Sequence, residues 1–208
     1  DHNNLSVMLL MLERYAEAEA AGRRALALLR SNPEAPRARQ AWVLNSIGAA
    51  QWGAGAYAAA LATLAESAAI AEETLGANVD PHAIARNLSA QALLGLGRKA
   101  EAEVLWRELL ASEVRDSTGV LGQAGYNLGK LLALEGRPTE ALPITQQAID
   151  LLRRFRAESD PMLLRTRALL AWLSVQTGDV AAGDAAMATV LQAVRESTLK
   201  LDDWGDVY

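Results

Sequence analysis

No cysteine occurs in the 208 residues. That excludes a disulfide framework and a thiolate zinc site, and it fits either redox compartment. Histidine is nearly as scarce: only His2 and His82 are present, and His82 follows Pro81 at a helix start. No HExxH, nucleotide-binding P-loop or nucleophile elbow appears, so no catalytic residue, metal site or cofactor is assigned and the chain is not expected to be an enzyme. Gly95-Leu96-Gly97-Arg98-Lys99 has a glycine-rich, lysine-ended look, but no strand precedes it and it reads as a structural turn. No apolar run reaches the ~18 residues of a membrane span, and no signal peptide is visible. An excess of basic charge is also missing: the formal net charge is −5 and the pI about 5.1, which argues against general nucleic-acid binding. The partner expected is a protein or peptide rather than nucleic acid or membrane, and the expected location is cytoplasmic. Asn4-Leu5-Ser6 and Asn87-Leu88-Ser89 match the glycosylation acceptor pattern, yet both fall within expected helices and are read as chance. The chain opens at Asp1 without methionine, partway through a helix. It reads as a segment of a longer protein, with any catalytic domain outside it.

What is present is periodic. Hydrophobic residues make up 51% of the chain; they fall at helical spacing, with few period-2 stretches, which predicts an all-α protein. Turn glycines recur at Gly55, Gly97, Gly136 and Gly178, with Glu13 on the same phase. The step is about 42 residues, and only the one from Gly97 to Gly136 is a little shorter. A fixed period of this kind marks a repeat array, in which each unit touches its neighbours. Small residues keep phase: Ser6, Gly48, Ala90, Gly129 and Ala171 before the turn, Ala18, Ala60, Ala102, Ala141 and Gly183 after it. They let paired helices approach closely. Larger residues (Leu5, Ile47, Leu128, Leu170, then Leu64, Trp106, Met187) fill the remaining core phases.

The pattern Ile47-Gly48, Gly55, Tyr57, Ala60, Leu64 resembles the tetratricopeptide repeat, whose helix-turn-helix unit usually has about 34 residues. Eight extra residues per unit, with Asn3-Asn4-Leu5 ahead of Tyr15-Ala16-Glu17-Ala18-Glu19, are similar to the longer kinesin-light-chain type. Ser89, Lys99, Pro138 and Gly183 depart from the pattern. The resemblance implies a right-handed α-solenoid of about five repeats in one domain over 1–195, with repeats near 3–30, 37–75, 80–112, 119–157 and 160–195. The segment 196–208, with Leu199, Leu201 and Trp204, is expected to cap the array or to fray. Boundary signals agree: two prolines in Ser31–Pro36, Gly76 as a C-cap, and Asp80-Pro81 and Asp160-Pro161 as caps followed by proline.

The resemblance further implies that first helices line the inside of the array. By phase this turns inward Asn3, Val7, Leu10 and Met11; Trp42, Asn45, Ala49 and Trp52; Ile84, Asn87, Gln91 and Leu94; Gln123, Tyr126, Lys130 and Ala133; and Arg165, Ala168, Trp172 and Val175. Peptide contacts are expected from Asn3, Leu10, Trp42, Asn45, Trp52, Asn87, Gln91, Tyr126, Lys130, Arg165 and Trp172. Asn3, Asn45 and Asn87 share one phase in three successive repeats. Each carboxamide offers donors and an acceptor, so the row could clamp a peptide backbone or instead bond neighbouring helices. Three such bonds give about 3 kcal/mol against the roughly 8 of micromolar binding, so apolar burial on the tryptophans must supply more. Trp42 and Trp52 could also be core, while Trp106 maps to the inter-helix core. Lys130 and Arg165 could attract a carboxylate or be solvated, and Arg153, Arg154, Arg156, Arg165 and Arg167 read as a polar rim beside Glu158 and Asp160. The basic residues of the chaperone-tail carboxylate clamp are missing from the matching places. The function expected is a protein-interaction scaffold that takes an extended peptide or partner helix in a concave groove. The alternatives are a regulatory or sensor segment of a larger bacterial signalling protein such as a serine/threonine kinase, and a self-assembly module acting through end repeats or the Trp204 tail.

Overall fold

A computed structural model describes residues 2–197 as ten α-helices, with no strand among the described residues. The helices are α1 (His2–Met11), α2 (Tyr15–Ser31), α3 (Ala38–Gly53), α4 (Tyr57–Leu75), α5 (Asp80–Gly95), α6 (Lys99–Ala111), α7 (Val120–Leu134), α8 (Pro138–Leu152), α9 (Pro161–Gln176) and α10 (Val180–Ser197). They form five hairpins, α1–α2 through α9–α10. The expected cap with Leu199, Leu201 and Trp204 lies outside the described residues.

One local device makes all five hairpins. At each turn one residue enters the left-handed region: Glu13 at φ 56°, then Gly55, Gly97, Gly136 and Gly178 between 74° and 101°. Two backbone bonds close the turn. Gly55 N–H donates to the Trp52 carbonyl at 2.9 Å and Ala56 N–H to the Gln51 carbonyl at 2.8 Å, and the same pair recurs at the other four turns. These are the two bonds of the Schellman helix end. The next carbonyl starts the following helix, as Ala56 does by accepting from Ala60 N–H at 2.9 Å. Glycine is favoured there because it lacks a Cβ; the rhythm of the sequence is the rhythm of that requirement.

The chain divides into two compact units, Asp1–Asp116 and Ser117–Tyr208. The boundary falls in the connector that shortens the step between Gly97 and Gly136. In the first unit α1 to α6 pack as three hairpins, with α3 seated on α1 and α2, and α5 on α3 and α4. One core joins Leu26 of α2 with Leu44 and Ile47 of α3 and Ile70 of α4; another joins Leu64 of α4 with Ala85 and Ala92 of α5. The phase-locked small residues permit the approach. A Cβ on Gly48 would lie 2.6 Å from Leu64, and ones on Gly53 and Gly95 would strike the rings of Tyr15 and Tyr57. Each tyrosine thus lies against a glycine of the next hairpin. In the second unit α7 to α10 form two hairpins, with α9 packed on both α7 and α8. Leu152 of α8 and Leu163 of α9 share a core, as do Leu164 and Val190 of α9 and α10.

Several expectations are adjusted. Leu5, assigned a core phase, is exposed because α1 is the first described helix and nothing described packs on that side. Asp80 is the first residue of α5, with Val79 in the cap position, whereas Asp160 caps α9 by accepting from Met162 N–H at 2.9 Å. Helix α8 continues through Pro143, on its exposed side.

Candidate functional site: the first-helix faces

In the first unit, first helices touch in series, α1 to α3 to α5, while α2, α4 and α6 pack mainly on first helices. First helices therefore make a continuous layer and second helices splay behind it. On α3, the residues Trp42, Asn45, Ala49 and Trp52 fall on one stripe at helical spacing. Trp42 and Trp52 are 40% and 37% exposed, about 15 Å apart along the axis at 1.5 Å per residue. Neither indole is core. Trp42 and Asn3 line one cleft of about 540 Å³ with Leu28, Leu29, Pro36 and Arg39. Leu10 and Gln91 are half-buried.

Asn45 and Asn87 share that phase but are not displayed: they are only 4% and 2% exposed. Asn45 donates from Nδ2 to the Pro81 carbonyl at 2.8 Å, and its Oδ1 lies 2.8 Å from the Ser67 hydroxyl. It ties α3 to its hairpin partner α4 and to the next first helix, α5. Asn87 accepts from Trp106 Nε1–H at 2.9 Å, which satisfies the indole of a fully buried tryptophan. The expected backbone clamp is therefore corrected at these two positions: their amide groups bond neighbouring helices. Gln51, which the sequence reading passed over, does the same work. It is buried, donates to Glu19 at 2.9 Å and accepts from Thr63 at 2.8 Å, linking α2, α3 and α4. Its only sequence signal is a polar residue in an otherwise apolar helix end.

In the second unit Tyr126 is buried, because α7 is enclosed around most of its circumference, and it is withdrawn as an exposed anchor. Trp172 is 39% exposed on α9, and Lys130 and Arg165 are half-buried. The arginine cluster is largely the expected polar rim: Arg167 pairs with Glu158, Arg153 lies 3.6 Å from Glu158, and Arg156 lies 3.6 Å from Asp160. The hydrogen bond from Arg167 holds the Glu158 carboxyl below its ordinary range. Burial pushes the His82 imidazole below its ordinary value, helped by the nearby Arg86 charge and opposed by Glu72 and a hydrogen bond with the Ala77 backbone. No helix among the described residues is long and apolar enough to cross a membrane.

Comparison with known proteins agrees with this architecture. The tetratricopeptide repeat family profile matches residues 2–73. No curated protein matches the sequence. Among solved structures, the nearly identical TPR-like repeats of Podosopora anserina, named for kinesin light chain, superpose with a TM-score of 0.67 at 15% identity, covering 96% of each chain. BtubC (BKLC) from P. vanneervenii gives a TM-score of 0.75 at 18% identity, over 94% of this chain and 79% of that one. The Rap conjugation gene regulator of plasmid pLS20, solved with the Phr* peptide, gives 0.74 at 15% identity over 95% of this chain; the chain spans 53% of that regulator. Residues 2–73 thus match the tetratricopeptide repeat profile, and the described chain has the fold of kinesin-light-chain-like repeat proteins.

Proposed function

We propose that the chain is a protein-interaction scaffold whose first-helix face in the first unit receives an extended peptide or one helix of a partner. The observation that carries this reading is the pair Trp42 and Trp52, large rings left two-fifths open on one helix face. Aromatic anchors of this kind dominate binding energy at interfaces. Two-fifths of a tryptophan surface is about 60–100 Å², so full coverage of both rings is worth about 3–5 kcal/mol. That is near half of what micromolar affinity requires, roughly 8 kcal/mol. Asn3, Leu10 and Gln91 supply the surrounding contacts, and Lys130, Arg165 and Trp172 offer a comparable face in the second unit. Support comes from the similar Rap regulator, solved in complex with a peptide.

The test is a peptide-display library panned on the full chain, with the enriched peptides titrated by tryptophan fluorescence. The Trp42→Ala/Trp52→Ala protein should bind them about a hundredfold or more weaker with its helical circular dichroism unchanged; equal binding overturns the assignment. A second reading, the sensing part of a longer regulator, is favoured by the share of the Rap protein that the chain matches. Sequencing the intact gene tests it: a gene consisting of this array alone removes it.

A further inference from the structure

The repeat register reveals a charge that has changed place. Counted from the turn glycines, Arg86 stands eleven residues before Gly97 and Glu108 eleven after it. The two pair, tying α5 to its hairpin partner α6. In the fifth repeat the same places around Gly178 hold Arg167 and Thr189. The guanidinium is kept, but Thr189 of α10 brings only a hydroxyl, 3.1 Å from the Ala185 carbonyl of its own helix. The counter-charge on Arg167 comes instead from Glu158, in the connection between α8 and α9. A buried guanidinium needs such a partner, and Arg167 is only 14% exposed, whereas Glu158 is 70% exposed.

Arg167 and Thr189 both line a cleft of about 410 Å³ within the second unit. The cleft is bounded by α8, α9 and α10 together, so it is not an end face of the array. Ile149, Leu170 and Ala186 give it an apolar side, and Arg153 adds a second guanidinium, 3.6 Å from Glu158. Two cations thus share one carboxylate, and a singly charged acid restores the balance. Its size is that of a small-molecule site, apolar with a few polar groups that fix orientation. We propose that this cleft binds a small organic carboxylate with an apolar body. The carboxylate pairs with Arg167 from the α10 side, as Glu108 pairs with Arg86, and the apolar body lies on Ile149, Leu170 and Ala186.

Glu158 is then a competitor for the guanidinium rather than its fixed partner. Ion pairs with an exposed member contribute little, and an incoming carboxylate that also buries apolar surface has the additional gain. While Glu158 holds Arg167, the apparent affinity for the acid is reduced by the fraction of sites so occupied. Removing the Glu158 charge therefore tightens binding. A carboxylate introduced at position 189 closes the site, because it recreates the pair that Arg86 makes with Glu108.

Titration of the isotope-labelled full chain with sodium hexanoate, followed by NMR, tests this, with hexanamide as the neutral control. Hexanoate should shift the signals of Ile149, Leu170 and Ala186 saturably, and hexanamide should not. Glu158→Gln should bind hexanoate about two- to fivefold more tightly. Thr189→Glu, at an exposed position, should bind it at least about tenfold more weakly with unchanged circular dichroism. Arg167→Gln should lose binding; should it also lose helicity, Thr189→Glu carries the same test. A wild type without saturable shifts in the cleft overturns the proposal. So does an equal response to hexanamide, or a hexanoate affinity that neither Glu158→Gln nor Thr189→Glu moves.

Discussion

Replacing Asn45 by alanine separates the scaffold from the binding face. The substitution removes the donor to the Pro81 carbonyl and one partner of the Ser67 hydroxyl, which retains the Ala41 carbonyl at 2.8 Å. Each lost hydrogen bond costs about 1 kcal/mol, and the carbonyl of Pro81, the second residue of α5, keeps its place in the helix's own hydrogen-bond ladder. The total is about 1–2 kcal/mol, an expected fall of roughly 2–8 °C in the midpoint for a chain of this size. Because repeat arrays can lose cooperativity along their length, thermal melts should be read by circular dichroism together with hydrogen exchange at α3–α5. Protection should drop there first. An unchanged melt, combined with weaker binding of library-selected peptides, would refute the reasoning and restore Asn45 as a ligand contact.

Two further outcomes follow from single residues. Glu13 holds the left-handed conformation that glycine holds at the other four turns, and a residue with a Cβ is penalised there by about 1–2 kcal/mol. After allowance for glycine's greater freedom in the unfolded chain, Glu13→Gly should stabilise α1–α2 by up to about 1 kcal/mol, read as a higher denaturation midpoint; a loss of stability contradicts it. His82 has a lowered folded pKa from burial and Arg86, so the folded state binds protons less readily than the unfolded chain. Its contribution is fully present above the ordinary histidine pKa of about 6.5 and is lost as pH falls through the lower folded value. Melting midpoints measured down from neutral pH should fall for the wild type and fall less for His82→Gln; parallel curves would contradict the assignment.

The hairpins were legible because their turns impose a chemical demand that few residues meet. A left-handed residue at every repeat turn writes glycine into the chain, and the close approach at Gly48 and Leu64 writes small residues beside large ones. The stripe of Trp42, Asn45 and Trp52 was equally legible as a phase. Its burial was not. Asn45 is covered because the following hairpin brings the distant Pro81 against its amide, and that approach leaves no mark within one repeat. Tyr126 illustrates the same limit: it carries an inward phase, but α7 is buried on most sides. The shortened step from Gly97 to Gly136 was visible as well, though not that the chain divides between Asp116 and Ser117.

Oxidative footprinting of the full chain, with and without a saturating library-selected peptide, tests the role of the first-helix face most directly. Trp106 is fully buried and should stay unreactive throughout, serving as an internal reference. Trp42 and Trp52 should react in the free chain and become protected in the complex. Undiminished reactivity of both indoles with the peptide bound would contradict the account.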